Sequence, residues 1–300
     1  MRGQRAGTDQ GDAVLAQALA AYRSALGPRL VAGYALGSLA HGGFSPLVSD
    51  VDLGLILRDP VRLTDRWTMR SVARGVRAGG SPLHERLSVF WGTPATLRGQ
   101  AAGGRFPPLD RLDLIEHGQL LTGQDARDGL PRPGQAELLV AGAEFALGSL
   151  GGAGPLRDRL IDLARSGGHR EDAVAEIRDP ARLVARGPGR LTKVVLFPVR
   201  FLFTAATGRV GTNAAASEHY LAADRAPAAG LVAAALTWRV QPPADPASAI
   251  ALVRAELIPL YVQYIDDHIA RLHAKGQHAL AGGFRRWRAR LLARPGPSAR

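Results

Sequence analysis

Asp50 and Asp52, split by a single valine, stand at the head of the apolar stretch DVDLGLIL, residues 50–57. Side chains alternate faces along a strand, so the two acids share one side while Val51, Leu53, Leu55 and Leu57 share the other. At about 3.3 Å of rise per residue their roots lie about 6 to 7 Å apart, and the carboxylates can converge. Bunched carboxylates are costly beside a buried strand unless positive charge sits between them. Hard oxygen ligands of this kind suit Mg²⁺, which is then shared with substrate phosphates, and such a pair can hold two ions about 3.5 to 4 Å apart. Upstream, Gly37 lets an anion approach the backbone. Ser38 adds a hydroxyl and an amide at the start of a short helix, where free N–H groups favour negative charge. With cations on one lip and phosphates on the other, the stretch suits a nucleoside triphosphate.

Positioning these residues requires alternating elements. RLVAGYALG reads as a strand ending at Gly37, DVDLGLIL as a second strand and ERLSVFWG as a third, with a helix over residues 12–26 ahead of the first and one over TDRWTMRSVARGVRA between the second and third. RLDLIEHGQLLTG reads as a helix or a strand-to-helix turn closed by Gly123. The Pro/Gly segment DGLPRPGQ, residues 128–135, has the composition of a linker. Past it the pattern is helical throughout, including PLRDRLIDLARSG and a long helix capped by Asp245 with Pro246 in its first turn and Pro259 inside it. The expected fold is α+β: a small α/β domain with a mixed sheet over residues 1–127, the linker at 128–135, and an all-helical domain over 136–300.

A chain of 300 residues that is 46% hydrophobic has material for at least one full core. The richest apolar run, VVLFPVRFLFTAA, is broken by Pro198 and Arg200 and falls short of the roughly 20 residues that span a bilayer, so no membrane partner is expected. Asp9 and Asp12 interrupt the place where an export signal would need continuous apolar residues. Together with the absence of cysteine this points to an unexported, cytoplasmic chain. The net charge of +12 would suit a polyanion, yet only Lys193 and Lys275 are lysines, and the abundance of Arg with Ala, Gly and Pro matches a GC-rich coding bias. A nucleic-acid partner is therefore not favoured. The glycines at 33, 37, 42 and 43 form neither a P-loop nor G-x-G-x-x-G, and the eight histidines show no metal-ligand spacing.

The run LGSLAHGGFSPLVSDVDLGLIL resembles the signature of the DNA polymerase beta-like nucleotidyltransferase superfamily: a Gly-Ser pair, a spacer often ending in Ser, then Asp-x-Asp on a strand. It is similar above all to the aminoglycoside and minimal nucleotidyltransferases, and KVVLFPVRFLFTAATGRVGTNAAASEHYLA resembles the helical segment that follows their catalytic domain. The resemblance implies that Gly37 and Ser38, with Ser49 at the spacer's end, bind the triphosphate of ATP while Asp50 and Asp52 bind two Mg²⁺ ions. It also implies a third carboxylate, as metal ligand or general base, on a neighbouring strand. Glu85 is the candidate. The family's acid often sits further inside that strand, where this chain has Ser88, and Asp110, Asp113 and Glu116 are alternatives. Without any third acid the protein would bind nucleotide and turn over poorly. Lys193, a rare lysine with Arg200 two helical turns on, could reach a triphosphate. The acceptor hydroxyl belongs to a small molecule or a protein. A small cationic acceptor calls for acids in the helical half, where Glu144, Glu176, Glu218, Glu256, Asp266 and Asp267 supply some. The oligomeric state is open.

Overall fold

The computed structural model describes residues 2–151 and 173–293, with side chains from residue 8 onward. The helix expected over PLRDRLIDLARSG lies outside the described residues. The chain forms two compact units, Met1–Pro133 and Gly134–Arg300.

In the first unit α1 (Arg2–Leu26) leads through a short 3-10 turn into β1 (Leu30–Leu36) and the five-residue α2 (Gly37–His41). Then come β2 (Val51–Leu57), α3 (Leu63–Arg77), α4 (Pro82–Glu85), β3 (Leu87–Gly92), α5 (Pro94–Leu97), α6 (Pro108–His117) and β4 (Gln119–Gly123). The four strands make one mixed sheet in the order β3-β2-β1-β4, in which β1 runs antiparallel to β2 and β4 while β2 and β3 are parallel.

Alternation along β2 decides the layering. Val51, Leu53, Leu55 and Leu57 are fully buried on one face against Val14, Leu15, Ala18 and Tyr22 of α1 and Met69 and Val76 of α3. Each such leucine contributes about 2 kcal/mol of transfer free energy. Tyr22 fixes the helix pair by donating its hydroxyl to the Met69 carbonyl at 2.8 Å. The opposite face carries a smaller cluster, Ala32, Tyr34, Leu36 and Ile56 with Leu97 and Leu114. Asp52 belongs to that face, at the end where the apolar cover stops.

The fourth strand was not visible in the sequence as a strand. RLDLIEHGQLLTG divides into α6 and β4, and β4 is an edge strand with four of its five residues exposed, so no apolar alternation marks it. A polar clasp holds the chain beyond it: the Tyr34 hydroxyl donates to Asp125 Oδ1 at 2.9 Å, the Ala126 amide donates to Tyr34 at 2.6 Å, and Arg127 donates to both Asp125 oxygens. Burial pushes the Tyr34 phenol up to about 12, and the Arg127 bonds hold Asp125 far below the usual carboxylate range.

The second unit is helical among its described residues: α7 (Gln135–Ser149), α8 (Ala173–Arg178), α9 (Pro180–Ala185), α10 (Pro188–Thr207), α11 (Asn213–Leu221), α12 (Ala229–Trp238), α13 (Pro246–Ala274) and α14 (His278–Leu292). As the sequence predicts, Asp245 caps α13, accepting from the Ala247 and Ser248 amides at 3.0 and 3.1 Å. By length and composition α13 could cross a bilayer, unlike the apolar run singled out from sequence, because its polar residues are spaced around a long apolar spine. That spine, Leu257, Leu260, Tyr261, Tyr264 and Ile265, is buried among Phe284 and Trp287 of α14 and Val194 and Val195 of α10.

Candidate functional site

Leu36, the last residue of β1, pairs with Asp52 across the antiparallel ladder, so the turn into α2 begins beside that carboxylate. Gly37 sits there at φ +60°, and a Cβ built on it would overlap Asp52 Oδ2 and come 3.1 Å from its Cγ. Both conditions demand glycine: the left-handed backbone and the carboxylate lying on its Cα. The Gly37 amide donates to Asp113 Oδ2 of α6 at 2.7 Å. Ser38 follows, half-buried, in the first turn of α2. From the far side the Gln119 side chain donates to the Ala40 carbonyl at 2.6 Å, tying α2 to β4.

The loop from α2 to β2 presents Asp50. Gly42 and Gly43, both at positive φ, turn the chain back, and buried Phe44 anchors it. Ser45 and Ser49 close a tight turn: the Ser49 amide donates to the Ser45 carbonyl at 2.8 Å and the Ser45 amide to Ser49 Oγ at 3.0 Å. Arg86 clamps it from outside, donating to the carbonyls of Ser49 at 2.8 Å and Pro46 at 2.5 Å, while its own carbonyl accepts from the Val51 amide at 3.2 Å. Desolvation lowers the pKa of Arg86, and the charges of Asp50 and Glu85 pull it the other way. A guanidinium thus stands close to the first of the two acids. Arg86 was missed from sequence because nothing distinguishes it from the many other arginines.

Gly37, Ser38 and Asp52 are brought together at the end of β1 and β2, and Asp50 immediately precedes β2. Glu85 needs correcting. It does not open β3: it is the exposed last residue of α4, because Pro82 and the Ser81 cap start a helical turn that delays the strand to Leu87. The residue paired in register with Asp52 is Ser88, so β3 sets a hydroxyl beside it where an acid was expected. Ser49 is 5% exposed, and its hydroxyl serves the loop turn. Lys193 lies half-buried on α10, in the second unit. Of the α6 acids, Glu116 pairs with Arg132 and stands 3.7 Å from His117, whereas Asp113 reaches the Gly37 turn. In the helical unit, Glu176 is paired with Arg190, Asp266 with Arg288 and Asp267 with Arg271, while Glu256 accepts from the Leu231 amide. Glu144 and Glu218 are exposed.

No group of three or more His, Cys, Asp or Glu that could hold a metal occurs among the described residues. Two carboxylates suffice for Mg²⁺, which keeps several waters and completes its shell with substrate phosphates, so the donor set of Asp50 and Asp52 fits that ion.

No family model matches the sequence, and no curated protein is similar to it. Among solved structures the chain is similar to spectinomycin adenyltransferase AAD(9) from Enterococcus faecialis, solved with ATP and spectinomycin. The TM-score is 0.50 at 14% identity, over 81% of this chain and 98% of that one. The likeness is one of fold: an α+β unit with a mixed sheet, followed by a helical unit, in the nucleotidyltransferase-like arrangement.

Proposed function

We propose that the chain is a nucleotidyltransferase that takes AMP from ATP and transfers it to a hydroxyl of a small-molecule or protein acceptor. The observation that carries this reading is the seating of the Asp52 carboxylate directly on the Gly37–Ser38 turn, beside Asp50. A turn that can receive phosphate and a pair of acids that can hold its counter-cation then face one another. The likeness to an adenyltransferase fold supports the same chemistry.

Asp50 and Asp52 would hold Mg²⁺, which when bound neutralises the triphosphate and acidifies an acceptor hydroxyl. The remaining work is positional. Gly37, lacking a side chain, makes room for the Asp52 carboxylate, and Ser38 offers its hydroxyl to a phosphate oxygen. Arg86 keeps the Asp50 loop in place. The acceptor oxygen bonds to the α-phosphorus, the bond from that phosphorus to the β-phosphate bridging oxygen breaks, pyrophosphate leaves, and the hydroxyl proton passes to a base or to water. For a cationic acceptor, the exposed Glu144 and Glu218 of the helical unit offer charge, whereas Glu176, Asp266 and Asp267 are each paired with an arginine.

One observation favours a second reading, a nucleotide-binding protein of weak turnover: the strand position beside Asp52 is Ser88, with no carboxylate to serve as base. Incubation with labelled ATP and Mg²⁺, with and without a panel of aminoglycosides, separates the two. Acceptor-dependent pyrophosphate release is the expected result. Tight ATP binding without release from any acceptor supports the second reading, and no ATP binding overturns both.

A further inference from the structure

We propose that Asp113 is a positioning residue of this site, an acid on α6 that clamps the Gly37 turn against Asp52. Its kinetic consequence rests on the nucleotidyl-transfer reading; its geometry does not.

β3 offers Ser88 opposite Asp52, Glu85 is exposed and ahead of the strand, and Glu116 is taken by Arg132. Asp113 is different. It is only 9% exposed, on a helix that packs against both β1 and α2, and its Oδ2 accepts the Gly37 amide at 2.7 Å. Gly37 is therefore met on adjacent backbone atoms by two carboxylates, Asp113 on its nitrogen and Asp52 on its Cα. A charge-assisted bond of this kind is short and directional, and it fixes a residue whose φ of +60° would otherwise be one of several open to glycine. Asp113 Oδ1, in contrast, is buried with no hydrogen-bond partner among the described residues. Stability alone does not ask for such an arrangement, because an asparagine would satisfy the Gly37 amide without burying a charge. What the carboxylate adds is negative charge one residue away from Asp52, which raises the pull of the site on a cation. Asp113 acts through Gly37 and is no ligand itself, in keeping with the absence of a three-acid metal cluster among the described residues.

Two consequences follow for substrate. The Gly37 amide is committed to Asp113, so contacts from the turn to a triphosphate fall to Ser38 and the residues after it. The clamp also sets where Asp52 meets that triphosphate, so loosening it should reduce kcat more than ATP affinity.

The test uses the full chain and the variants Asp113→Ala, Asp113→Asn and Glu85→Gln. Three readings are taken: pyrophosphate release with the acceptor found in the panel, ATP affinity in Mg²⁺, and hydrogen exchange of the Gly37 amide. Asp113→Ala is expected to lower kcat by about tenfold or more with KM for ATP changed less than about threefold, and to speed exchange at Gly37. Asp113→Asn, which keeps an acceptor for that amide, should keep Gly37 protected and recover part of kcat while needing more Mg²⁺. Glu85→Gln should match the parent. Unaltered exchange at Gly37 in Asp113→Ala, or a loss of kcat with Glu85→Gln that Asp113→Ala does not share, overturns the proposal. A parent protein that neither binds ATP nor releases pyrophosphate sinks the nucleotidyl-transfer reading, and the exchange measurement still decides the clamp.

Discussion

Asp65 and Asp113 are both buried aspartates on helices of the same unit, and they are treated in opposite ways. Asp65, 2% exposed, has both oxygens engaged: Arg29 donates to them at 2.9 and 2.6 Å, and the Arg62 amide adds a bond at 2.7 Å. Asp113 meets one backbone amide, and its other oxygen has no partner among the described residues. The first carboxylate is neutralised where it stands and ties the start of β1 to the start of α3. The second sits on the Gly37 turn, which also carries the Asp52 carboxylate. Within one small unit, one buried carboxylate is paired in place with an arginine, and the other is set on the glycine turn on which the proposed site rests.

The contrast can be broken by substitution. Asp52→Ala, at the glycine turn, should lower transfer by about 10²–10³-fold or more while leaving the fold intact, since removing one of several bunched acids relieves repulsion. Pyrophosphate release and a thermal melt on the same preparation check both halves. At the arginine pair Asp65→Ala should do the reverse. It strands Arg29, whose side chain is only 13% exposed, and should cost about 3–5 kcal/mol in urea denaturation, with activity per folded molecule unchanged. Gly37→Ala falls between: the left-handed backbone alone costs about 1–2 kcal/mol, and the new methyl must push Asp52 aside, so ATP affinity and stability should fall together.

The smallest effect concerns the clasp behind β4. The pKa of Tyr34 is raised by burial from 10.0 to about 12, so the folded state holds that proton more tightly than the unfolded one. The stabilisation is complete below about pH 10 and is lost as pH rises toward 12. Denaturation midpoints at pH 9 and pH 11.5 should therefore converge in Tyr34→Phe relative to the parent.

How much of this the sequence carried depended on how local the signal was. The Gly-Ser turn and the acid pair lie within 16 residues, and β2 alternates cleanly, so the residues of the candidate site and the mixed sheet were legible. The cap at Asp245 followed from the same kind of short-range chemistry. Long-range facts were not legible. Asp113 reaches Gly37 across 76 residues, and Arg86 reaches Ser49 across 37. Neither contact is signalled by residue type or local spacing, although Asp113 is among the sequence's alternatives for a third acid. Glu85 lies ahead of β3 rather than on it because a proline-initiated turn delays the strand to Leu87. β4 was missed because an exposed edge strand needs no apolar face.

The central claim is that Asp52, seated on the Gly37 turn, helps to hold the cation that brings a triphosphate to this site. Calorimetric titration of ATP into the parent and into Asp52→Asn, each with and without Mg²⁺, tests it most directly. The account predicts Mg²⁺-dependent binding in the parent and loss of that dependence in the variant, with melting temperature unchanged or raised. Equal Mg²⁺ dependence in the two proteins would contradict it.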